Sequence, residues 1–169
     1  SSSSAASDVY KRQGKDNTIP WYISEELNYF RKLTNKHIVI MGSKTFFSIP
    51  VKFRPLKNRL NLVLTNNKDL LKNEHNYPNL KFINFKCPKT TFNIINYDYL
   101  HKLTSIFSTI RSYSNYINKE IFIIGGQKIY ELFFKLFEKT KYYELQLNKI
   151  YLTYLEKDYK CDTFFKKLT

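Results

Sequence analysis

The sequence predicts an α/β domain of three layers, in which helices cover both faces of a mainly parallel central sheet. Short apolar runs rich in Ile and Val alternate with segments of helical spacing, which is typical of strand–helix–strand units. These runs are apolar on both faces, as strands between two layers of helices must be. A length of 169 residues suits one domain.

The first half of the chain contains two predicted helices and two predicted strands. Ser24 is a favourable N-cap residue, and two acids follow it where they suit the helix dipole. A helix therefore begins there and runs to about Leu33. Further along, the pattern predicts a strand over 37–41, a helix over 42–49 and a strand over 60–64.

The second half of the chain continues the alternation of strands and helices. Its apolar pattern predicts strands over 81–85, 120–124 and 149–155, and helices over 97–111 and 127–137. Residues 1–13 are small and polar and lack apolar periodicity. We interpret them as a tail outside the domain, which spans residues 14–169.

The chain is strongly basic, with 28 Lys and Arg against 14 Asp and Glu and a net charge of +14. Only five of the basic residues are arginines, and they form no patch, so we expect anionic small molecules as partners and no specific nucleic acid. No apolar run reaches the length of about eighteen residues that a membrane helix needs, so we expect no membrane partner. Two isolated cysteines suit a reducing, cytoplasmic location, and the three histidines lack the spacing of metal ligands.

Three of the predicted strands end in small or polar residues, at positions 42–45, 64–66 and 125–128. The carboxyl ends of parallel strands meet at one edge of an α/β sheet, where ligands bind. Two of these ends also open helices, whose free N–H groups suit a phosphate, and Lys44 and Lys128 add charge there. The alternative is that glycine at these ends only permits a tight turn from strand to helix.

One acid lies on an apolar helix face. At 100° per residue, position 26 lies about 40° from position 30 and about 20° from position 33, so Glu26 shares a face with Phe30 and Leu33. Glu25 points away from that face. An acid among apolar groups suits proton transfer. The alternative is that Glu26 only caps the helix or lies at its margin.

Taken in order, these segments resemble dihydrofolate reductases. The resemblance extends from about residue 14 to about residue 165, and the order of the pieces makes it specific although each piece is short. The pieces are GKDNTIPW at 14–21, EL-x-x-F at 26–30, VIMG-x-x-TF-x-SI at 39–49, RPL-x-x-R-x-N at 54–61, IGG-x-x-IY at 124–130, I-x-LT at 150–153 and CDTFF at 161–165.

The resemblance implies reduction of 7,8-dihydrofolate to 5,6,7,8-tetrahydrofolate by hydride transfer from NADPH, in one-carbon metabolism and thymidylate synthesis. It implies catalytic roles for Glu26, for Thr153 as the hydroxyl that orients it, and for Trp21 in a loop over the nicotinamide. It also implies that Arg59 grips the glutamate carboxylate of the substrate, a bidentate task for which lysine is a poor substitute. The implied substrate contacts are Ile19, Leu27, Phe30, Ile49, Leu56 and Arg59.

The resemblance implies cofactor contacts along all three strand ends, with phosphates near 43–45, adenosine near 64–66 and a cis peptide at Gly125–Gly126. It further implies that antifolates bind and that the chain is fused to, or associates with, thymidylate synthase. The implied cofactor residues are Gly14, Ser43, Lys44, Thr45, Leu64, Thr65, Asn66, Ile124, Gly125, Gly126, Gln127, Lys128, Ile129 and Tyr130.

The sequence departs from the family at both ends. Residues 1–13 do not match the family's hydrophobic first strand, and the chain stops after 161–165, so we expect a sheet without its first central strand and its C-terminal hairpin. Ser43 stands where many members carry a basic residue, so preference for NADPH over NADH rests on Lys44, Asn66, Lys128 or other lysines. Two alternatives stay open: a related pterin or riboflavin-pathway reductase, and an inactive or incomplete fragment that binds polyanions non-specifically.

Overall fold

The computed structural model describes residues 12–14, 24–72, 77–86, 97–139, 149 and 163–164. The helices in these ranges are α1 (Ser24–Thr34), α2 (Ser43–Ser48), α3 (Lys68–Lys72), α4 (Tyr97–Arg111) and α5 (Gln127–Lys139). The strands are β1 (Arg12–Gly14), β2 (Ile38–Gly42), β3 (Leu60–Thr65), β4 (Leu80–Asn84), β5 (Ile121–Gly125) and β6 (Thr163–Phe164). Short 3-10 turns lie at Val51–Phe53 and Ser114–Tyr116.

Four strands form a parallel sheet in the order β4–β3–β2–β5. In β2, Val39 lies opposite Asn61 of β3 and Phe122 of β5. β1 and β6 form a separate antiparallel pair in which Arg12 lies opposite Phe164, so this pair includes residues 12 and 13, which the composition assigns to the tail. The predicted parallel α/β sheet is confirmed.

Helices cover both faces of the sheet. Because side chains alternate between faces along a strand, each strand contributes to two cores. On one face, α4 and α5 pack on β2, β3 and β4 through the buried residues Ile38, Ile40, Leu60, Leu62, Leu64, Ile83, Phe85, Leu103, Ile106, Ile110, Ile129, Leu132, Phe133 and Leu136. On the other, α2 and α3 pack on the sheet around Val39, Met41, Phe46, Val63, Leu80 and Phe82. The prediction of three layers is confirmed.

Most element predictions agree with the structure. The helix that begins at Ser24 ends at Thr34, and the helix predicted over 97–111 has those bounds. The short elements α3, β1 and β6 are not predicted, because five residues or fewer carry little periodicity. The predicted strand over 149–155 lies outside the described residues apart from its first position. None of the helices in the described ranges is both long and apolar enough to cross a membrane.

Candidate functional site

The ends of three strands meet at one edge of the sheet. β2, β3 and β5 are parallel neighbours, so their carboxyl ends lie side by side, with Met41 opposite Gly125 and Gly42 opposite Leu64. The helices α2 and α5 begin directly after β2 and β5. The sequence prediction that positions 42–45, 64–66 and 125–128 converge is therefore confirmed.

Two glycines at this edge allow the elements to approach closely. A Cβ atom on Gly126 would lie 3.3 Å from Thr45 Oγ1, and a Cβ atom on Gly42 would lie 3.3 Å from Ile129 Cγ1. Both distances are tighter than ordinary van der Waals contact, so a side chain at either position would crowd its neighbour. The start of α5 thus lies close against the start of α2.

Gly125 has a backbone conformation that favours glycine. Its φ is +117°, and a Cβ atom there would meet the Tyr130 ring at 3.3 Å. The peptide bond between Gly125 and Gly126 is cis, as the resemblance implies. Burial raises the pKa of the Tyr130 phenol to about 12, so this hydroxyl is protonated at neutral pH.

Polar side chains surround this edge of the sheet, where α2 and α5 begin. Ser43 and Thr45 are half-buried, whereas Lys44, Gln127 and Lys128 are exposed. These residues offer hydroxyl, amide and ammonium donors around the first turns of α2 and α5. The edge therefore suits an anionic ligand such as a phosphate.

The end of β3 adds a further polar turn to this edge. Thr65 is buried, and its Oγ1 accepts the backbone N–H of Asn67 at 3.1 Å, while Asn66 is exposed. Two of the predicted cofactor residues, Leu64 and Ile129, have side chains in the core, so they would contact a ligand here through their backbone.

Glu26 lies on the face of α1 that its helical spacing predicts. Glu26, Phe30 and Leu33 are half-buried on one face, whereas Glu25, Tyr29 and Lys32 are exposed on the other. Within the part of the chain that the structure describes, the Glu26 carboxylate makes no hydrogen bond. It is therefore able to accept hydrogen bonds from a ligand lying along this face.

At the far end of α1, a buried arginine lies against the helix. Arg59 is 6% exposed. Its Nε donates to the carbonyl of Lys57 at 3.0 Å, and its Nη1 donates to Thr34 Oγ1 at 3.0 Å. Its Cζ lies 5.8 Å from the centre of the Phe30 ring. These contacts fix the guanidinium beside the C-terminal turn of α1.

The Arg59 guanidinium has unused hydrogen-bonding capacity. Three of its five N–H donors have no acceptor among the described residues, and no described carboxylate pairs with it. Burial, and then the neighbouring charge of Arg31, lower the pKa of Arg59. A buried cation beside a like charge is costly unless an anion pairs with it, so Arg59 is suited to bind one.

A pair of asparagines holds the loop that carries Arg59. Asn61, fully buried in β3, accepts the backbone N–H of Leu56 at 2.9 Å and donates to the carbonyls of Leu56 and Arg59, each at 2.9 Å. Asn79 Nδ2 donates to the same two carbonyls at 3.2 and 3.1 Å. Sequence reasoning assigned no role to Asn61, Asn79 or Thr34. A polar residue within the apolar run of β3 was the available signal for Asn61.

The predicted substrate residues that the structure describes divide into three groups. Phe30 and Arg59 lie together, and Ile49 and Leu56 are half-buried against the α2 side of the core. Leu27 is 50% exposed on α1. Ile19, Trp21 and Thr153 lie outside the described residues, and Gly14 is placed only as the end of β1, opposite Thr163.

Glu26 and the neighbourhood of Arg59 are separated by the length of α1. Thr34, which bonds Arg59, lies eight residues after Glu26, a distance of about 12 Å at 1.5 Å per residue. An elongated ligand with hydrogen-bond donors at one end and a carboxylate at the other fits this arrangement. In the described ranges, no group of three His, Cys, Asp or Glu side chains is placed to hold a metal ion.

Comparison with known proteins identifies similar sequences. The sequence profile of the family described as dihydrofolate reductase matches residues 3–85. A dihydrofolate reductase of Pneumocystis carinii is 31% identical over 164 aligned residues, which cover 90% of this chain and 66% of that protein. One from Staphylococcus aureus is 28% identical over 164 residues, covering 97% of this chain and 76% of that protein. The chain thus spans about two thirds of the length of the first relative and about three quarters of the second.

Proposed function

Because this chain belongs to the dihydrofolate reductase family, we propose that it reduces 7,8-dihydrofolate to 5,6,7,8-tetrahydrofolate with NADPH as the reductant. The observation that supports the proposal is the position of Arg59, a buried arginine without a carboxylate partner among the described residues. It lies beside the last turn of α1, whereas the half-buried Glu26 lies in the first turn. Dihydrofolate has a pterin ring with an amino group at one end and a glutamate at the other. The amino group of the pterin can bind the Glu26 carboxylate, and the glutamate can bind the Arg59 guanidinium.

Arg59 holds the glutamate end of the substrate. Its two fixed hydrogen bonds, to Lys57 O and Thr34 Oγ1, orient the guanidinium and leave N–H groups free for a carboxylate. A bidentate, charge-assisted pair in a desolvated position is stronger than an exposed ion pair. This pair would also compensate the burial of the Arg59 charge.

Glu26 holds and activates the pterin end. Its carboxylate accepts hydrogen bonds from the 2-amino group and the neighbouring ring nitrogen, and its negative charge favours protonation at N5. The net change is addition of one hydride at C6 and one proton at N5. Thr153 would orient the carboxylate, and Trp21 would cover the reacting ring; both residues lie outside the described ranges.

We assign the space between these two ends to apolar side chains. Phe30 lies beside Arg59 and shares a face of α1 with Glu26, and Ile49 and Leu56 pack against the α2 side of the core. We assign Ile19 and Leu27 to the same pocket from the resemblance. Excluding water here strengthens the electrostatic contacts of Glu26 and Arg59.

We assign NADPH to the sheet edge at the starts of α2 and α5. Glycine at positions 125 and 126 lets the backbone approach Tyr130 and Thr45 closely, where a side chain would collide. When bound, NADPH supplies the hydride. Ser43, Thr45 and the N–H groups that open α5 would hold its phosphates, Lys44 and Lys128 would neutralise their charge, and residues 64–66 would contact the adenosine. Gln127 and the backbone of Ile124 and Ile129 complete this site.

We also propose a cellular context. The reaction belongs to one-carbon metabolism and works beside thymidylate synthase, fused to this chain or separate, and antifolates inhibit it. The two isolated cysteines, Cys87 and Cys161, suit a reducing compartment, so we place the activity in the cytoplasm.

The experiment that tests the function compares two neighbouring acids. Purified chain should oxidise NADPH only when dihydrofolate is present. Glu26→Gln should lower kcat by about 100-fold or more, because general acid–base groups typically contribute about 10²–10⁴. Glu25→Gln, on the exposed side of the same helical turn, should stay within about twofold of the unmodified chain.

Two results would contradict the proposal. Equal kcat values for Glu26→Gln and the unmodified chain would remove Glu26 from catalysis. A tail-less pterin or a riboflavin precursor reduced faster than dihydrofolate would favour the related reductase. Titration with NADPH by nicotinamide fluorescence at rising salt covers the remaining alternative. NADPH is itself a polyanion, so a fragment that attracts it only through net charge would lose it as salt screens the charges.

A further inference from the structure

The segment that joins α2 to β3 carries two of the apolar residues assigned to the substrate pocket, Ile49 and Leu56. Much of it is exposed, since Val51 is 75% and Phe53 is 56% exposed. Its backbone closes short turns, with the N–H of Phe53 donating to the carbonyl of Pro50 at 2.8 Å. Because burial contributes little to holding this segment, its conformation depends on the hydrogen bonds of its side chains.

Arg54 closes this segment back onto the end of α2. Nη1 of Arg54 donates to the carbonyl of Phe47 at 2.8 Å and to the carbonyl of Ile49 at 3.0 Å. Carbonyls at the C-terminal end of a helix lack partners within the helix, and a cation there is favourable. The guanidinium also lies over the Phe47 ring, with Cζ 5.0 Å from the ring centre. Three contacts thus hold this half-buried side chain in place.

The contacts of Arg54 fix the backbone of Ile49 on both sides. The N–H of Ile49 donates to the carbonyl of Phe46 at 3.2 Å, and its own carbonyl accepts from Arg54. The Ile49 side chain packs against the core cluster that contains Phe46. Leu56 is held separately, because Asn61 bonds its backbone N–H and its carbonyl. Removal of the Arg54 guanidinium would therefore release Ile49 and leave Leu56 in place.

We propose that Arg54 is a positioning residue for substrate binding, which holds Ile49 against the benzoyl ring of the substrate and does not contact the substrate itself. This inference rests on the proposed function. The benzoyl ring lies between the pterin and the glutamate, in the space assigned to apolar side chains. Arg54 consequently favours substrates that extend beyond the pterin, whereas Glu26 acts on the pterin. Its effect should appear in KM and not in kcat.

The test uses steady-state kinetics on three substrates of increasing length. They are a dihydropterin without a benzoyl group, the amide of 7,8-dihydropteroate, which has the benzoyl ring but no carboxylate, and dihydrofolate. If Arg54→Gln leaves Ile49 in position in about one molecule in three to ten, KM should rise about three- to tenfold for the amide and for dihydrofolate alike. KM for the short dihydropterin and for NADPH should stay within about twofold, as should every kcat, because neither the pterin site nor the cofactor site includes Ile49.

Lys52 provides a matched control in the same segment. It carries the same charge, but its Nζ lies over the exposed Phe53 ring at 4.8 Å and makes no hydrogen bond to a described residue. Lys52→Gln should therefore leave all KM values within about twofold. Arg54→Lys keeps the charge and one donor group but loses the planar fork, so it should give the same pattern with a smaller rise, about two- to threefold. This variant decides the question if Arg54→Gln does not fold.

Three results would overturn the inference. A rise in KM for dihydrofolate alone would mean that Arg54 binds the glutamate directly. An equal rise for all three substrates would mean that the substitution disturbs the whole pocket, and unchanged KM values would mean that Ile49 is held without Arg54. Failure of the unmodified chain to reduce dihydrofolate would instead contradict the proposed function.

Discussion

Replacement of Asn61 by leucine tests how the loop that carries Arg59 is held. The side chain of Asn61 is fully buried in β3 and makes three hydrogen bonds of 2.9 Å to the backbone of Leu56 and Arg59. Leucine has the same number and branching of side-chain heavy atoms but no hydrogen-bonding group, and its methyl groups are larger. The substitution therefore removes the polar contacts, and any crowding in the buried site adds to the loss of stability.

The expected loss of stability depends on which hydrogen bonds each backbone group retains in the variant. The carbonyls of Leu56 and Arg59 retain the bonds from Asn79 Nδ2 at 3.2 and 3.1 Å. The N–H of Leu56 has no other acceptor in the described ranges, so it is left unpaired, which costs about 1–3 kcal/mol. With about 1 kcal/mol more for the lost donated bonds, to the carbonyls of Leu56, Arg59 and, at 3.4 Å, Asn79, the free energy of unfolding should fall by about 2–4 kcal/mol.

Urea unfolding followed by circular dichroism measures this loss. For a slope of about 2 kcal/mol/M, the midpoint should fall by about 1–2 M. Asn79→Ala is the matched control: it removes only the longer bonds to the same carbonyls and leaves no N–H unpaired, so it should cost about 1 kcal/mol. The double variant should lose more than the sum, by about 1 kcal/mol, because both carbonyls then lack any side-chain donor.

Two outcomes would refute this reasoning. A midpoint for Asn61→Leu within about 0.3 M of the unmodified chain would mean that the three short bonds contribute little net stability. Strict additivity in the double variant would mean that the two asparagines do not share the carbonyls of Leu56 and Arg59.

Two further predictions concern the sheet edge. Gly125→Ala should destabilise the fold by about 1–3 kcal/mol in thermal unfolding, because its φ of +117° is unfavourable for alanine and the new Cβ would meet the Tyr130 ring at 3.3 Å. Gly42→Ala, at an ordinary φ of −79°, should cost less; equal losses would contradict the backbone argument. Burial raises the pKa of Tyr130 to about 12, so its phenol stays protonated in the fold while the unfolded chain ionises above about pH 10. Stability should therefore fall as pH rises from about 10 to about 12, by about 2–3 kcal/mol, and urea unfolding of Tyr130→Phe should lack this contribution.

Local periodicity accounts for the features that were predicted correctly. Burial alternates along α1 as its spacing requires, with positions 26, 30 and 33 half-buried and 25, 29 and 32 exposed. The bounds of α4 and the apolar runs of β2, β3 and β5 follow from the same kind of signal. The resemblance added roles for Glu26 and Arg59.

The sequence by itself determined the alternating α/β pattern and the apolar face that carries Glu26, because these depend on residues close together along the chain. The convergence of three strand ends followed from the general rule that parallel strands end at one edge of a sheet. Only the tertiary structure decided that Arg59 lies buried against Thr34, 25 residues away. It also decided that Gly126 lies against Thr45 and that Asn79 shares the carbonyls held by Asn61. The order of the strands and the packing of helices on them create these contacts, and no local pattern encodes which distant groups will meet.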